Sequence, residues 1–232
     1  MTLAVNRRAT IALLVSLLAP LLLYVFTCCR SIFWMDSTEF MLVGIDLGIS
    51  HPPGYPLLTL ITRVVSLTPV LPIPLRLNLI SGFAAAGSCL ALSYLIWRLT
   101  DDTLAGLIGA LIWGVSFELW QQATALEVYA LQVFLFSTLL SAISHWSIQT
   151  NSNNTSSLRH LLLTCFLLGL AFANHLFIVW LLPCLVALFL TGNWRSLRAS
   201  WTLLALVMLS LGPTLYAYVP LRSSASKSIY WS

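Results

Sequence analysis

Charged residues are scarce in this chain: they make up 8% of its 232 residues, whereas hydrophobic residues make up 59%. Soluble domains carry roughly a quarter charged residues, so the chain lacks the polar surface that would cover a globule in water. A soluble enzyme, a nucleic-acid-binding protein and a disordered chain are therefore excluded. The mean hydropathy of +0.93 is that of a multi-pass membrane protein.

Acidic residues are scarcer still, with seven Asp and Glu residues in total. The net charge of +4 therefore reflects few acids rather than a basic patch, and it does not indicate nucleic-acid binding. None of the five cysteines has metal-site spacing, and Cys28 and Cys29 are adjacent rather than in a CxxC pair. We predict no cofactor and no metal-ligand cluster, and we leave a divalent ion near the acids open.

Long apolar runs divide the chain, and about 20 residues suffice to cross a bilayer as a helix. Ala9–Cys29 follows Arg7 and Arg8 and has neither the short core nor the cleavage site of a signal peptide. We therefore predict an uncleaved first span with a cytoplasmic N-terminus. The further predicted spans are Leu77–Trp97, Leu104–Trp120, Val128–Trp146 and Trp201–Val219. This pattern predicts an all-α polytopic membrane protein.

The apolar segment Leu161–Leu190 has two interpretations. A single helix of this length would measure about 45 Å, which is too long for one upright span. Asn174 and His175 interrupt the segment, which favours two short spans that meet near the outer surface. One tilted helix with an internal polar pair is the alternative. Counting basic residues does not decide between six and seven spans, and we prefer about seven.

The loop Ser31–Arg76 is the only substantial segment between the predicted spans, and it contains most of the prolines. Phe33–Ile49 predicts a short helix along the membrane surface, with Asp36 and Glu39 on one face. His51 precedes Pro52, which favours an extended backbone there. Pro56–Leu67 predicts a second interfacial helix.

The acids separate by side in either topology, although acids do not determine topology. Five of the seven fall on the predicted outer face: Asp36, Glu39, Asp46, Glu118 and Glu127. Such a concentration in a charge-poor chain predicts a functional site on the outer face.

Each candidate residue also has a structural interpretation. Asp36 and Glu39 fit a helix-capping pair, and His51 fits an ordinary loop residue beside prolines. Glu127 and Tyr129 fit a helix start at the membrane interface, where an acid suits the helix dipole.

The later candidates have structural interpretations as well. Asn174 and His175 fit a packed polar pair that stabilises a helix break. Arg222 fits a charge that flanks the last span. The functional prediction therefore depends on the conjunction of these residues on one face and on no single one of them.

Three motifs stand out in the first half of the chain: W-M-D-S-T-E-F at Trp34–Phe40, G-I-S-H-P-P-G-Y-P-L at Gly48–Leu57 and R-L-N-L-I-S-G at Arg76–Gly82. Together they resemble the membrane domain of the protein O-mannosyltransferase-like family. Further similarities are E-V-Y-A-L at Glu127–Leu131, A-N-H at Ala173–His175 and V-P-L-R-S at Val219–Ser223. This family belongs to the GT-C superfamily of polyprenyl-phosphate-sugar-dependent glycosyltransferases.

The resemblance implies a helical fold with a long first outer loop and short helices. It also implies transfer of a sugar from a polyprenyl-phosphate carrier to a hydroxyl of a protein or glycan on the non-cytoplasmic face. Asp36 falls where such enzymes place the acid of this loop, so it is the expected general base. Glu39 is expected to orient the acceptor or to support Asp36. Arg76 and Arg222 are expected to stabilise the leaving phosphate. The remaining expected substrate-binding residues are His51, Tyr55, Asn78, Glu127, Tyr129, Asn174 and His175.

The resembled family continues beyond the point where this sequence stops, so we treat residues 1–232 as one truncated or split GT-C-like domain. A non-catalytic or assembly subunit of the family is one alternative, and a carrier for a lipid or small solute is another. The implied location is the plasma membrane in a prokaryote and the endoplasmic reticulum in a eukaryote.

Overall fold

The computed structural model describes residues 7–149, 155–183, 186 and 199–225, and it contains no β-strand within them. The first seven helices are α1 (Arg7–Thr27), α2 (Asp36–Asp46), α3 (Pro56–Ser66), α4 (Ile73–Thr100), α5 (Thr103–Gly114), α6 (Phe117–Thr124) and α7 (Val128–Gln149). They are followed by α8 (Thr155–Asn174), a 3-10 helix (Leu176–Leu181), α9 (Ala199–Leu211), a 3-10 helix (Pro213–Ala217) and α10 (Tyr218–Ala225).

Four segments of the described chain are long and apolar enough to cross a membrane, and a bent helix pair makes a fifth. The four are Arg7–Thr27, Ile73–Thr100, Val128–Trp146 and Trp201–Ser224. The prediction of an all-α polytopic membrane protein is therefore confirmed. The choice between six and seven spans stays a prediction, because residues 184–185 and 187–198 lie outside the described part of the chain.

The bent pair replaces the straight span predicted over Leu104–Trp120. Helix α5 ends at Gly114, and α6 leaves it at an angle of 62°. The Tyr24 hydroxyl donates a hydrogen bond of 2.7 Å to the Gly114 carbonyl, which satisfies the backbone at the break. The Ser116 hydroxyl then accepts the Leu119 N–H and caps the start of α6.

Helix α4 lies at the centre of the bundle and contacts α1, α5, α6 and α7. Its buried face carries small residues such as Ala85, Ser88 and Cys89. Small side chains let neighbouring helices approach closely within a membrane, where packing rather than water drives their association.

Two buried asparagines join the helix ends on one side of the bundle. The Asn78 side chain, at the start of α4, donates to the Cys29 and Ser31 carbonyls and accepts the Leu126 N–H. At the end of α8, the Asn174 amide donates to the Val128 carbonyl. These bonds bring the end of α1, the starts of α4 and α7 and the end of α8 to one surface.

Helices α2 and α3 cover this surface, and they confirm the two short helices predicted in the outer loop. They pack so closely that a Cβ added to Gly44 would lie 2.3 Å from Cγ2 of Thr62. From α10, the Tyr218 hydroxyl donates to the Gly48 carbonyl at 2.6 Å and so holds the loop that follows α2.

Candidate functional site in the α2–α3 hairpin

Glu39 and His51 form the centre of the candidate site. Oε1 of Glu39 accepts the His51 backbone N–H at 2.7 Å and the Ser50 hydroxyl at 2.6 Å. The ring Nδ1 of His51 lies 3.0 Å from Oε2 of the same carboxylate. Partial burial alone would raise the pKa of Glu39, but the hydrogen bonds from Ser50 and His51 lower it below its ordinary value. Glu39 is therefore an ionised acceptor that fixes the His51 ring.

Tyr55 holds the other side of the His51 ring, with its hydroxyl 3.1 Å from Nε2. Burial, followed by the nearby Tyr129, Asp36 and Glu39, raises the pKa of Tyr55 to about 12, so the phenol stays protonated. Tyr55 thus donates to Nε2 while Nδ1–H faces Glu39. The Tyr55 backbone is left-handed (φ 41°), which is uncommon for a bulky residue and typical of constrained functional segments.

Asp36 stands beside this network with an exposed carboxylate that accepts no hydrogen bond from the part of the chain that the structure describes. It opens α2 one turn before Glu39, which places the two acids on one face. The residue preceding α2 is Met35, which makes no side-chain capping bond, and Glu39 is occupied by Ser50 and His51. The capping interpretation of the two acids therefore does not describe this helix start.

Asp36, Glu39 and His51 also have the composition of a cation site. One potential ligand atom from each lies within 4.8 Å of the others. Two carboxylates and an imidazole suit a divalent ion such as Mn²⁺ or Zn²⁺. Binding such an ion would require the Glu39–His51 contact to rearrange, because those atoms already serve each other. The prediction of no cofactor, with a divalent ion near the acids left open, stays a prediction.

Glu127 approaches Asp36 from the start of α7. Its backbone N–H donates to the Ser81 hydroxyl at 2.9 Å, and the adjacent Leu126 is held by Asn78. Burial and, secondarily, the Asp36 charge raise the pKa of Glu127 to about 7. Burial therefore favours the protonated form of Glu127, which can donate a hydrogen bond.

His175 connects Glu127's helix with the α2–α3 hairpin through a series of aromatic contacts. Its ring centroid lies 5.6 Å from that of Tyr55 and 5.4 Å from that of Tyr129. Nδ1 accepts the Phe177 N–H at 3.0 Å, so the proton of the neutral ring is on Nε2. Burial, with the neighbouring His51 as a second cause, lowers the pKa of His175 and keeps it a neutral donor.

Two predicted binding residues are held by hydrogen bonds within the fold, although the Asn174 Oδ1 atom is buried and has no hydrogen-bond partner among the described residues. Both Asn78 and Asn174 are fully buried, and the hydrogen bonds of Asn78 all go to the main chain. Asn174 also donates to the Gln132 side chain at 2.9 Å. They position the residues that line the site, and direct substrate binding by them stays a prediction.

The two predicted phosphate-binding arginines lie in different places. Arg222 reaches the end of α2, where its Nε donates to the Leu47 carbonyl at 2.7 Å. Arg76 donates to the carbonyls of Ser66, Thr68 and Val70 and so organises the loop between α3 and α4. Arg222 is therefore the arginine attached to the end of α2, and the phosphate-binding role of either residue stays a prediction.

A pocket of about 350 Å³ adjoins Tyr129. It is lined by Trp113, Glu118, Leu119, Gln121, Gln122, Tyr129 and Val133. The Gln122 Oε1 atom is buried and has no hydrogen-bond partner among the described residues. Sequence reasoning missed this pocket, because the bend between α5 and α6 creates it. It also missed Ser50, although the position directly before His51 was a usable signal.

Comparison with known proteins agrees with the motifs. The family described as "Protein O-mannosyl-transferase TMEM260 N-terminal domain" matches residues 36–198. Over 224 residues the chain is 28% identical to protein O-mannosyl-transferase TMEM260 of Mus musculus, covering 95% of this chain and 31% of the mouse protein. It is 24% identical over 144 residues to the Dictyostelium discoideum protein O-mannosyl-transferase tmem260, covering 60% of this chain and 18% of that protein.

The chain thus spans about a third or less of the length of these curated relatives. No solved structure matches it. The matched region begins at Asp36 and includes the α2–α3 hairpin, Glu127 and His175. Because this match covers well over half of the sequence, the chain is a multi-pass membrane protein that belongs to the protein O-mannosyl-transferase TMEM260 N-terminal domain family.

Proposed function

We propose that this chain carries the sugar-transfer site of a protein O-mannosyltransferase. It would move a mannosyl group from a polyprenyl-phosphate carrier to a protein hydroxyl on the membrane face that bears Asp36. That face would be non-cytoplasmic, with the N-terminus of α1 in the cytoplasm. The observation that carries the proposal is the exposed Asp36 carboxylate, which accepts no hydrogen bond from the described residues, beside the fixed Glu39–His51–Tyr55 network in a family-matched helix bundle.

Asp36 is the proposed general base. The acceptor oxygen attacks the anomeric carbon, the bond from that carbon to the phosphate oxygen breaks, and the lipid phosphate leaves with the electron pair. The hydroxyl proton passes to Asp36. An exposed carboxylate that accepts no hydrogen bond from the described chain suits this role, because its lone pairs are available to a substrate.

Glu39 acts indirectly in this proposal by orienting His51. Its carboxylate already accepts three hydrogen-bond donors, so it is a poor proton acceptor for substrate. The His51 and Tyr55 side chains are held in fixed orientations beside Asp36. Polar groups that are already oriented need little rearrangement when charge develops during the reaction.

The departing phosphate needs hydrogen-bond donors or positive charge. The proposed groups are neutral His175, protonated Glu127 and Arg222. His175 contacts Tyr129, and Glu127 interacts with Asp36. Arg222 binds the end of α2. The pocket beside Tyr129 is the proposed place for the acceptor, because its aromatic and amide side chains suit a peptide segment.

The test is transfer by the purified chain in detergent with a Ser/Thr-rich peptide as acceptor. Polyprenyl-phosphate mannose, polyprenyl-phosphate glucose and a nucleotide-linked mannose are offered separately. We expect mannosylated peptide from the first donor alone. Transfer from the nucleotide-linked sugar would overturn the donor class, and a well-folded chain inactive with every donor would overturn the claim that this portion carries a complete site.

A further inference from the structure

A second groove lies at the opposite end of the bundle from Asp36. It has a volume of about 470 Å³ and is lined by α1, α4, α7 and α8. Leu13 is near the start of α1, Tyr94 is near the end of α4, and His145 is near the end of α7. None of these residues belongs to the candidate active site.

Polar groups collect at one end of this groove. The Tyr94 hydroxyl is hydrogen-bonded to Nε2 of His145, and the two rings are stacked with centroids 5.5 Å apart. The ring of His160, from α8, is stacked on the other side of His145 at 4.9 Å. Three helices therefore contribute one stack of hydrogen-bonding rings.

Two nitrogens in this region are buried and have no hydrogen-bond partner among the described residues: Nδ1 of His145 and Nε of Arg98. When the Tyr94 hydroxyl is the donor to Nε2, the proton of a neutral His145 ring is on Nδ1, which is then a hydrogen-bond donor. Arg98 follows Tyr94 by one helical turn, and its charge interacts with both Tyr94 and His145. Buried donors without partners are costly, which indicates that something else accepts these hydrogen bonds.

The rest of the groove is apolar and elongated. Phe134 and His145 both line it from α7, and eleven residues of helix correspond to about 17 Å. Gly87, Leu90 and Leu163 also line the groove. The groove thus has the Tyr94, His145 and His160 rings at one end and an apolar lining along the rest. Arg98 does not line it but lies one helical turn beyond Tyr94.

We propose that this groove binds a single-chain lipid with a phosphate head, inserted from the leaflet in which α1 begins. The phosphate would accept hydrogen bonds from His145, His160 and Arg98, and the chain would lie against Phe134 and Leu90. The Arg98 charge beyond Tyr94 favours an anionic head, and the elongated apolar groove accommodates a single chain. This lipid site is independent of the proposed sugar transfer and is tested separately from it.

The test is photolabelling of the full chain in detergent with dodecyl phosphate that carries a diazirine near the end of its chain. We expect the label on peptides from α7 or α8 that line the groove. Unlabelled dodecyl phosphate should compete at least about tenfold better than dodecanol, because hydrogen bonds to a charged head are lost in the alcohol. Inorganic phosphate alone should not compete.

Matched variants locate the site. His145→Phe and His160→Phe keep the ring stack and remove its donors, so each should weaken competition by dodecyl phosphate about tenfold. Leu163→Trp narrows the groove and should reduce labelling, whereas Leu203→Trp on the exposed face of α9 should not. Monodispersity in gel filtration checks folding.

Several outcomes would overturn the proposal. Equal competition by dodecanol would remove the role of the phosphate, and competition by inorganic phosphate would remove the role of the chain. Unchanged competition by dodecyl phosphate in both His→Phe variants would show that the phosphate does not bind in the groove. An equal loss of labelling in Leu163→Trp and Leu203→Trp would show that the label does not enter it.

Discussion

The Glu39 carboxylate binds His51 at two points, through the backbone N–H at 2.7 Å and through the ring Nδ1 at 3.0 Å. A side chain held at both its backbone and its ring has little freedom left. The orientation of His51 is therefore determined by an acid that lies one helical turn from Asp36. This relationship connects the predicted base with the loop that follows α2.

Glu39→Gln should reduce sugar transfer by about tenfold or more while the protein still accumulates in the membrane. The amide keeps the shape of the side chain but loses the charge that the Ser50 and His51 donors require. The measurement is the transfer rate of Glu39→Gln compared with that of Ser50→Ala. The second variant removes only one hydrogen-bond donor to Glu39 and should have a smaller effect. Equal rates in Glu39→Gln and wild type would contradict the positioning role.

The same variant gives a stability test at low pH. Because the folded-state pKa of Glu39 is lowered, its contribution is present above its ordinary value of about 4.3 and is lost as the pH falls through the lowered value. The midpoint of thermal unfolding of wild type should fall in this acid range more steeply than that of Glu39→Gln. If the unfolding midpoints of the two proteins fell in parallel with pH, the acid loss of stability would not come from Glu39.

Glu127 should show the opposite dependence. Its pKa is raised to about 7, so its contribution to stability is fully present below about pH 4.3 and is lost as the pH rises towards 7. Glu127→Gln is neutral at every pH and should remove this decline. Thermal unfolding of both proteins between pH 4 and 8 measures the difference, and an unchanged decline in the variant would assign it to another group.

Gly44→Ala should destabilise the α2–α3 hairpin by about 1–3 kcal/mol, since its Cβ would overlap Thr62. Gly109→Ala is the matched control. There the added Cβ meets only the terminal Cδ1 of Ile96 at 2.6 Å, and a flexible side chain can move. The midpoint of thermal unfolding should fall for Gly44→Ala. It should change little for Gly109→Ala, or rise because alanine has the higher helix propensity. Equal effects would contradict the close α2–α3 contact.

Asn78→Asp distinguishes a structural from a substrate-binding role for this residue. The carboxylate would face the Cys29 and Ser31 carbonyls without the two N–H donors, while burial opposes its ionisation. We expect a loss of about 3 kcal/mol or more in stability, seen as poor recovery of monodisperse protein. A fully stable variant with impaired transfer would instead indicate a direct role in binding.

Composition and hydropathy predicted the membrane helices because twenty-residue apolar runs have few alternative structures. The two short helices of the outer loop were also predictable. Pro56 favours the first turn of α3, and Asp36 with Glu39 suits the first turn of α2. The acids and His51 could be assigned to one face, but their pairing could not.

What the sequence could not provide depends on contacts between distant residues. The break after Gly114 is stabilised by Tyr24, and nothing near Gly114 in the sequence indicates that hydroxyl. Likewise, Arg76 and Arg222 look equivalent as outer cations. Only the fold shows that one organises the loop before α4 while the other reaches the end of α2.

The most direct test of the account compares sugar transfer by Asp36→Asn and Asp46→Asn. Both variants neutralise an exposed acid of α2, at its first and last residues respectively. We expect Asp36→Asn to lose about a hundredfold or more in rate with polyprenyl-phosphate mannose, while Asp46→Asn stays within about twofold of wild type. Retained transfer in Asp36→Asn, or equal losses in the two variants, would contradict the assignment of Asp36 as the base.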